Sequence, residues 1–228
     1  LFYQMKKYDK AKYFYQKSLK FKPNYFEIYY NLGILFIDIK KYDDAIYSFK
    51  KSIKINPNFY KSYYCLGNIY FDLGNMDDCI YFLQQAIKLN PRDIETLNNL
   101  GIAYKEIGEN NKATQFFKKI IKINSNYAKP YYNLYSLLIN NKDLNESIAC
   151  LKKAVKIDPN NDTYNFFLGF LLEYNGNVKE SKKFFNKIND NLNINIARID
   201  SWNYIKNFQK KIPKIIKNTK DAFKIATD

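Results

Sequence analysis

Histidine is absent from the 228 residues. That removes the commonest general base, proton shuttle and zinc ligand together. Cysteine is scarce. Cys65, Cys79 and Cys150 are odd in number and form no CxxC pair, which excludes a disulfide framework and a cysteine zinc cluster. Reduced thiols and a cytoplasmic residence are therefore expected. Seven glycines and six prolines are too few for an all-β chain with many tight turns. No run approaches the roughly 18 apolar residues of a membrane span, and no signal peptide is legible. A P-loop, a nucleophile–base pair and a metal-ligand set are missing as well. We therefore expect no catalysis by these residues and no cofactor.

Hydrophobic residues make up 46% and aromatics 18%, which is too apolar and aromatic for a disordered chain. Their placement is periodic. Prolines stand at Pro23, Pro57, Pro91 and Pro159, at one constant interval or its double, with Ser125 in the open slot. Glycines keep the same phase at Gly33, Gly67, Gly101 and Gly169, with Tyr135 filling the gap. A leucine precedes each of them, from Leu32 to Leu168. Small residues recur at Ala45, Cys79, Ala113, Ser147 and Ser181, and large apolar ones at Phe49, Leu83, Phe117, Leu151 and Phe185. The glycine or small residue lets two helices approach, and the large residue fills the space beside it. Asn75, Asp143 and Asn177 stand where the second helix of a pair should start and are suited to cap it.

This pattern resembles the tetratricopeptide repeat, a helix–turn–helix unit with a period of about 34 residues. The third copy carries it best, in Leu97, Leu100-Gly101, Tyr104, Gly108, Ala113 and Phe117. The tryptophan column of the family reads Tyr29, Tyr63, Leu97, Tyr131 and Asn165; Asn165 departs from it, so the last repeat should pack differently. The resemblance implies an all-α solenoid, a right-handed superhelix of antiparallel helix pairs. Its parts are a half repeat 1–25 and full repeats 26–59, 60–93, 94–127, 128–161 and 162–195. Ile196, Ile199, Trp202, Ile205 and Phe208 recur at helical spacing, so residues 196–228 are expected to form capping helices over the last repeat. The chain starts at Leu1 rather than methionine, inside an expected first helix, and reads as a fragment of a larger protein.

The helical period then defines a face. With the fold columns turned to one side of the first helix in each repeat, the second, fifth, sixth, ninth, twelfth and thirteenth positions turn to the other. The resemblance makes that side the lining of a concave groove. The groove residues singled out are Tyr30, Asn31, Tyr64, Asn68, Asn98, Asn99, Lys129, Tyr132, Asn133 and Phe170, with Phe71, Asp72 and Ile102 in neighbouring slots. Asn31, Asn99 and Asn133 share one column, interrupted by Cys65 and Phe167. An amide donates and accepts, so such a ladder suits a peptide backbone, and it resembles the asparagine ladder of the O-GlcNAc transferase repeat domain. Tyrosine and phenylalanine are favoured anchors for partner side chains. The carboxylate clamp of some family members is matched only at Asn68, Asn99 and Lys129; Tyr64 and Asn133 replace two of its three cations.

The net charge of +15 is unevenly placed. Seven lysines against one aspartate give residues 1–25 a net +6, and eight bases against three acids give 196–228 a net +5, leaving +4 for the five full repeats. Within the groove slots only Lys61, Lys105 and Lys129 face Glu27, Asp38, Asp72, Glu95, Glu106 and Glu173. The expected partner is thus a protein or peptide segment, neutral to basic, with aromatic or aliphatic anchors. Array ends offer a surface for self-association. The basic exterior leaves polyanion binding as an alternative, although the aromatics fall mainly on repeat columns or in the groove and no nucleic-acid motif is present, which argues against nucleic acid. The other alternative is a targeting module of a larger enzyme, such as an O-GlcNAc transferase-like glycosyltransferase.

Overall fold

The computed structural model of the chain describes residues 3, 6–140 and 143–188. Among them the regular elements are all helical. They are α1 (Tyr8–Phe21), α2 (Phe26–Asp38), α3 (Tyr42–Ile55), α4 (Tyr60–Asp72), α5 (Met76–Leu89), α6 (Ile94–Glu106), α7 (Asn110–Ile123), α8 (Lys129–Asn140), α9 (Leu144–Ile157), α10 (Asp162–Tyr174) and α11 (Val178–Phe185). The helices α1, α3, α5, α7, α9 and α11 begin at the constant interval set by the proline and glycine columns. The chain divides into two compact units, Leu1–Ser125 and Asn126–Asp228. In the first, α2 pairs with α3, α4 with α5 and α6 with α7, and each pair packs on the next. In the second, α8 pairs with α9 and α10 with α11, with α9 against α10. The expected capping helices of 196–228, Trp202 included, lie outside the described residues.

The columns explain the pairing. Ala45, Cys79, Ala113, Ser147 and Ser181 are all buried, as are the large residues Phe49, Leu83, Phe117 and Leu151. A Cβ placed on Gly33 would sit 2.6 Å from the Phe49 ring, and one on Gly101 2.7 Å from Phe117. No side chain fits there, so glycine sets the depth to which the large residue enters the facing helix. The α8–α9 pair lacks this device. Tyr135 takes the glycine slot and is itself buried beside Leu151.

The first helix of a pair ends in a left-handed residue that recurs in register with the repeat. Gly74 has φ 75° and Gly108 φ 79°. The Asn75 N–H then reaches the Tyr70 carbonyl at 2.9 Å and the Gly74 N–H the Phe71 carbonyl at 3.0 Å, a Schellman closure. In the preceding pair Lys40 holds the same place at φ 59°, with Lys41 N–H on the Phe36 carbonyl at 2.8 Å. Lys6 repeats it at φ 55°. Two lysines thus adopt a conformation that costs a side chain about 1–2 kcal/mol.

Of the three caps expected at Asn75, Asp143 and Asn177, two form. Asn75 Oδ1 accepts from Asp78 N–H at 3.2 Å and Asp143 Oδ1 from Glu146 N–H at 3.1 Å. The Asn177 side chain makes no cap bond; the Glu180 N–H goes to its main-chain carbonyl. The Glu180 carboxylate is held instead by Lys152 of α9, at 2.9 Å. Asp93 and Asn161, which sequence reasoning missed, cap α6 and α10 through Thr96 N–H and Tyr164 N–H. Asn165 takes the column held elsewhere by Tyr29, Tyr63, Leu97 and Tyr131. Its fully buried amide donates to the carbonyls of Pro159 (2.9 Å) and Asn161 (3.0 Å), tying the loop to α10. A second polar contact lies between α3 and α4, where Ser62 Oγ donates to Ser52 Oγ at 2.9 Å with both residues buried.

Candidate functional site

The repeat period carries the chosen side chains on the first helices of the pairs. In the first unit, α4 and α6 bring three of them together. Asn99 Nδ2 donates to Asn68 Oδ1 at 2.8 Å and approaches the Tyr64 hydroxyl at 3.4 Å. Asn98, buried at 6% exposure, donates to Asn99 Oδ1 at 3.3 Å. Asn98 therefore orients Asn99 from inside the helix layer. Beside this network opens a cleft of about 330 Å³, lined by Asn68, Phe71, Asp72, Leu83, Asn99 and Ile102. Phe71, Leu83 and Ile102 make it apolar, the two amides supply a polar wall, and Asp72 is exposed. Leu83 belongs to α5 and not to the groove face. It reaches the cleft opposite Gly67, where a Cβ would meet it at 2.6 Å. The glycine column was the signal that could have found it.

Tyr30 and Asn31 of α2 are both half-buried. The Tyr30 ring lies 5.1 Å from Phe59 and 5.8 Å from Phe49, so it forms part of the wall. Its hydroxyl faces the Cys65 thiol. Burial, with Cys65 beside it, pushes the Tyr30 phenol up to about 12, and burial raises the Cys65 thiol to about 12. Both stay neutral at physiological pH. Cys65 interrupts the asparagine column as a core residue.

In the second unit the chosen residues meet a different environment. Tyr132 lies 5.3 Å from Tyr164, 5.6 Å from Tyr135 and 5.9 Å from Phe167 by ring centroid. Phe170 packs against the same buried cluster. Asn133 is half-buried, and its carbonyl accepts from the Ser136 hydroxyl at 2.7 Å. Lys129 is exposed, its ammonium 5.9 Å from the Tyr127 ring centroid.

The electrostatics of the first unit are ordered by helix. Asp38, Asp72 and Glu106 are the last residues of α2, α4 and α6, each one repeat from the next, and all are exposed. A helix C-terminus favours cations, so these acids add to the negative end of each dipole. The second helices follow the ordinary rule: Asp43 and Asp44 open α3, Asp77 and Asp78 open α5, and Lys54 and Lys88 lie in their last turns. Asp38 is also bonded by the Tyr3 hydroxyl at 2.8 Å; burial first, and this carboxylate second, raise the Tyr3 phenol to about 12.

Helix pairs repeating at one period, each closed by a small residue against a large one, define a helical-repeat solenoid class. Within that class, four family models described as "TPR repeat" or "Tetratricopeptide repeat" match residues 1–39 and 67–108, 26–59, 48–81, and 94–127 with 128–161. The chain belongs to the tetratricopeptide repeat family. No curated protein sequence matches it. Among solved structures, the crystal structure of MamA protein is 28% identical, with a TM-score of 0.63 over 71% of this chain and 88% of that one. MamA 41-end from Desulfovibrio magneticus RS-1 is 19% identical, with a TM-score of 0.64 over 77% of this chain and 97% of that one. YrrB, described as a TPR protein with an unusual peptide-binding site, is 16% identical, with a TM-score of 0.62 over 76% of this chain and 89% of that one. The last two share the fold. Among the described residues no helix is long and apolar enough to cross a membrane. The chain is a protein-interaction scaffold.

Proposed function

We propose that the first unit grips a segment of a partner protein at the cleft between α4 and α6. The observation that carries this reading is the Asn68–Asn99–Tyr64 network beside the apolar floor of Phe71 and Ile102. Asn98 and Asn68 hold the Asn99 amide in one orientation, so little side-chain entropy is lost when a peptide backbone bonds to this wall. The floor accepts an aliphatic or aromatic side chain. The acids closing α2, α4 and α6 select a segment that is neutral to basic. Tyr30 and Asn31 extend this surface along α2. Tyr132, Asn133, Phe170 and Lys129 form a separate contact surface on the second unit.

The experiment is a peptide array followed by titration at two salt concentrations. Neutral-to-basic peptides with an apolar anchor bind best, and Asn99→Ala weakens them about tenfold, the effect of one or two lost hydrogen bonds. The melting temperature of the variant stays near that of the parent. If acidic C-terminal peptides bind best and Lys129→Ala abolishes their binding, carboxylate capture replaces this reading.

A further inference from the structure

Three tyrosines depart from the expectation that the aromatics avoid the lysines. Tyr13, Tyr47 and Tyr81 stand one repeat apart on α1, α3 and α5, all in the first unit, and are 59%, 60% and 53% exposed. Four and seven residues on, the same helices carry Lys17 and Lys20, Lys51 and Lys54, and Gln85 and Lys88. Positions i, i+4 and i+7 fall on one stripe of a helix. Each of the three second helices thus offers a ring followed by one or two cations. The contact is direct at the middle rung, where the Lys51 ammonium lies 5.4 Å from the Tyr47 ring centroid. The acids of these helices sit in the first turns; Asp9, Asp43 and Asp77 stand four residues before the rings, at the N-terminal end of the same stripe, so the cations lie on the C-terminal side of each ring.

The fold does not require these rings. The same column continues as Gln115 and Ala149 in α7 and α9. Nor is the place of α1 the reason, because Tyr47 and Tyr81, on α3 and α5, are as exposed as Tyr13. Phe14 is the contrasting case: its counterparts Ser48 and Phe82 are buried and half-buried.

We propose that the outer face of α1, α3 and α5 binds single-stranded nucleic acid, with bases on Tyr13, Tyr47 and Tyr81 and phosphates on the adjacent lysines. A polymer that alternates a flat ring with a negative charge matches a surface that alternates the same two groups at a fixed period. Aromatic platforms interleaved with cations are how single strands are held without sequence preference. A stacked duplex hides its ring faces and keeps only the phosphate contacts. A membrane interface also accepts tyrosine rings, but it offers no ring and charge at a fixed repeat; the vesicle arm below separates the two.

The test is fluorescence anisotropy of the full chain with dye-labelled oligo(U) and oligo(dT) long enough to span all three helices. A duplex of the same length and phosphatidylserine-containing vesicles are the other arms. Single strands bind more tightly than the duplex. With five lysines engaged, affinity falls roughly 100-fold between about 50 and 200 mM salt. Replacing Tyr13, Tyr47 and Tyr81 together by alanine weakens single-strand binding at least about tenfold, since each stacked base contributes separately. Replacing the same three by phenylalanine preserves binding, because the ring remains. The alanine variant keeps the parent's melting temperature and its affinity for peptides at the α4–α6 cleft. Equal binding by the parent and the alanine variant overturns the proposal. Equal affinity for duplex and single strand, or binding to vesicles without binding to oligonucleotides, overturns it as well.

Discussion

The two units solve the same packing problem in different ways. In the first, every helix pair closes on a glycine: Gly33 on Phe49, Gly67 on Leu83 and Gly101 on Phe117. In the second, α10–α11 closes in the same way, Gly169 on Phe185, but the α8–α9 pair has Tyr135 in that slot, its ring 5.5 Å from Phe167. A tyrosine in place of glycine fills the room between helices and extends towards α10. The neighbouring groove positions Tyr132, Phe167 and Phe170 are then drawn into one aromatic cluster. Where glycine closes the pair, Asn68, Asn99 and Phe71 remain at the wall of a cleft. At α8–α9 the residue between the two helices thus draws the adjoining groove positions of α8 and α10 into packing.

The contrast can be broken at the large residue. Phe117→Ala removes a fully buried ring from the α6–α7 pair and is expected to cost about 3–5 kcal/mol in urea unfolding. A loss below about 1 kcal/mol would mean that the ring does not hold the pair. Tyr135→Ala removes the ring that stands in the glycine slot and should cost about as much as Phe117→Ala; a loss below that of Gly101→Ala would refute the contrast. Gly101→Ala adds a methyl group 2.7 Å from the Phe117 ring and should cost about 1–3 kcal/mol. At the turns, Lys40→Gly relieves a left-handed lysine and should raise stability by about 1 kcal/mol, measured as a higher denaturation midpoint. A fall would show that the lysine side chain contributes more than its backbone strain costs. The smallest effect belongs to the second unit. Lys152→Ala removes a half-exposed ion pair with Glu180 and should change stability by less than about 1 kcal/mol, with the difference shrinking in high salt.

Most of the fold was legible because its constraints repeat. Ala45, Cys79, Ala113 and Ser147 are small for one reason, and reading one column explains all of them. The left-handed turn was not legible at Lys40, because lysine carries no signal for positive φ and only its register with Gly74 reveals it. The site was legible in part. Counting about 100° per residue gives the direction of Tyr64, Asn68 and Asn99, which the structure brings together. It does not give depth. Cys65 and Phe167 occupy groove positions by that count and are buried, because depth depends on how closely the neighbouring helices approach. The tyrosine register at 13, 47 and 81 was visible as a period, but its exposure was not.

The buried Ser52–Ser62 hydrogen bond joins α3 to α4 and has no equivalent at the next junction, where Ala86 stands opposite Thr96 in the same columns. Helix pairs built on one template resemble each other closely enough to dock in the wrong order. Docked against Ala86 or Ile120, the Ser62 hydroxyl would be shut away from water without a partner, a loss of about 1–3 kcal/mol for each stranded group. The two serines therefore act as an address for this one junction: they favour α3 against α4 over a wrong neighbour that would strand a hydroxyl.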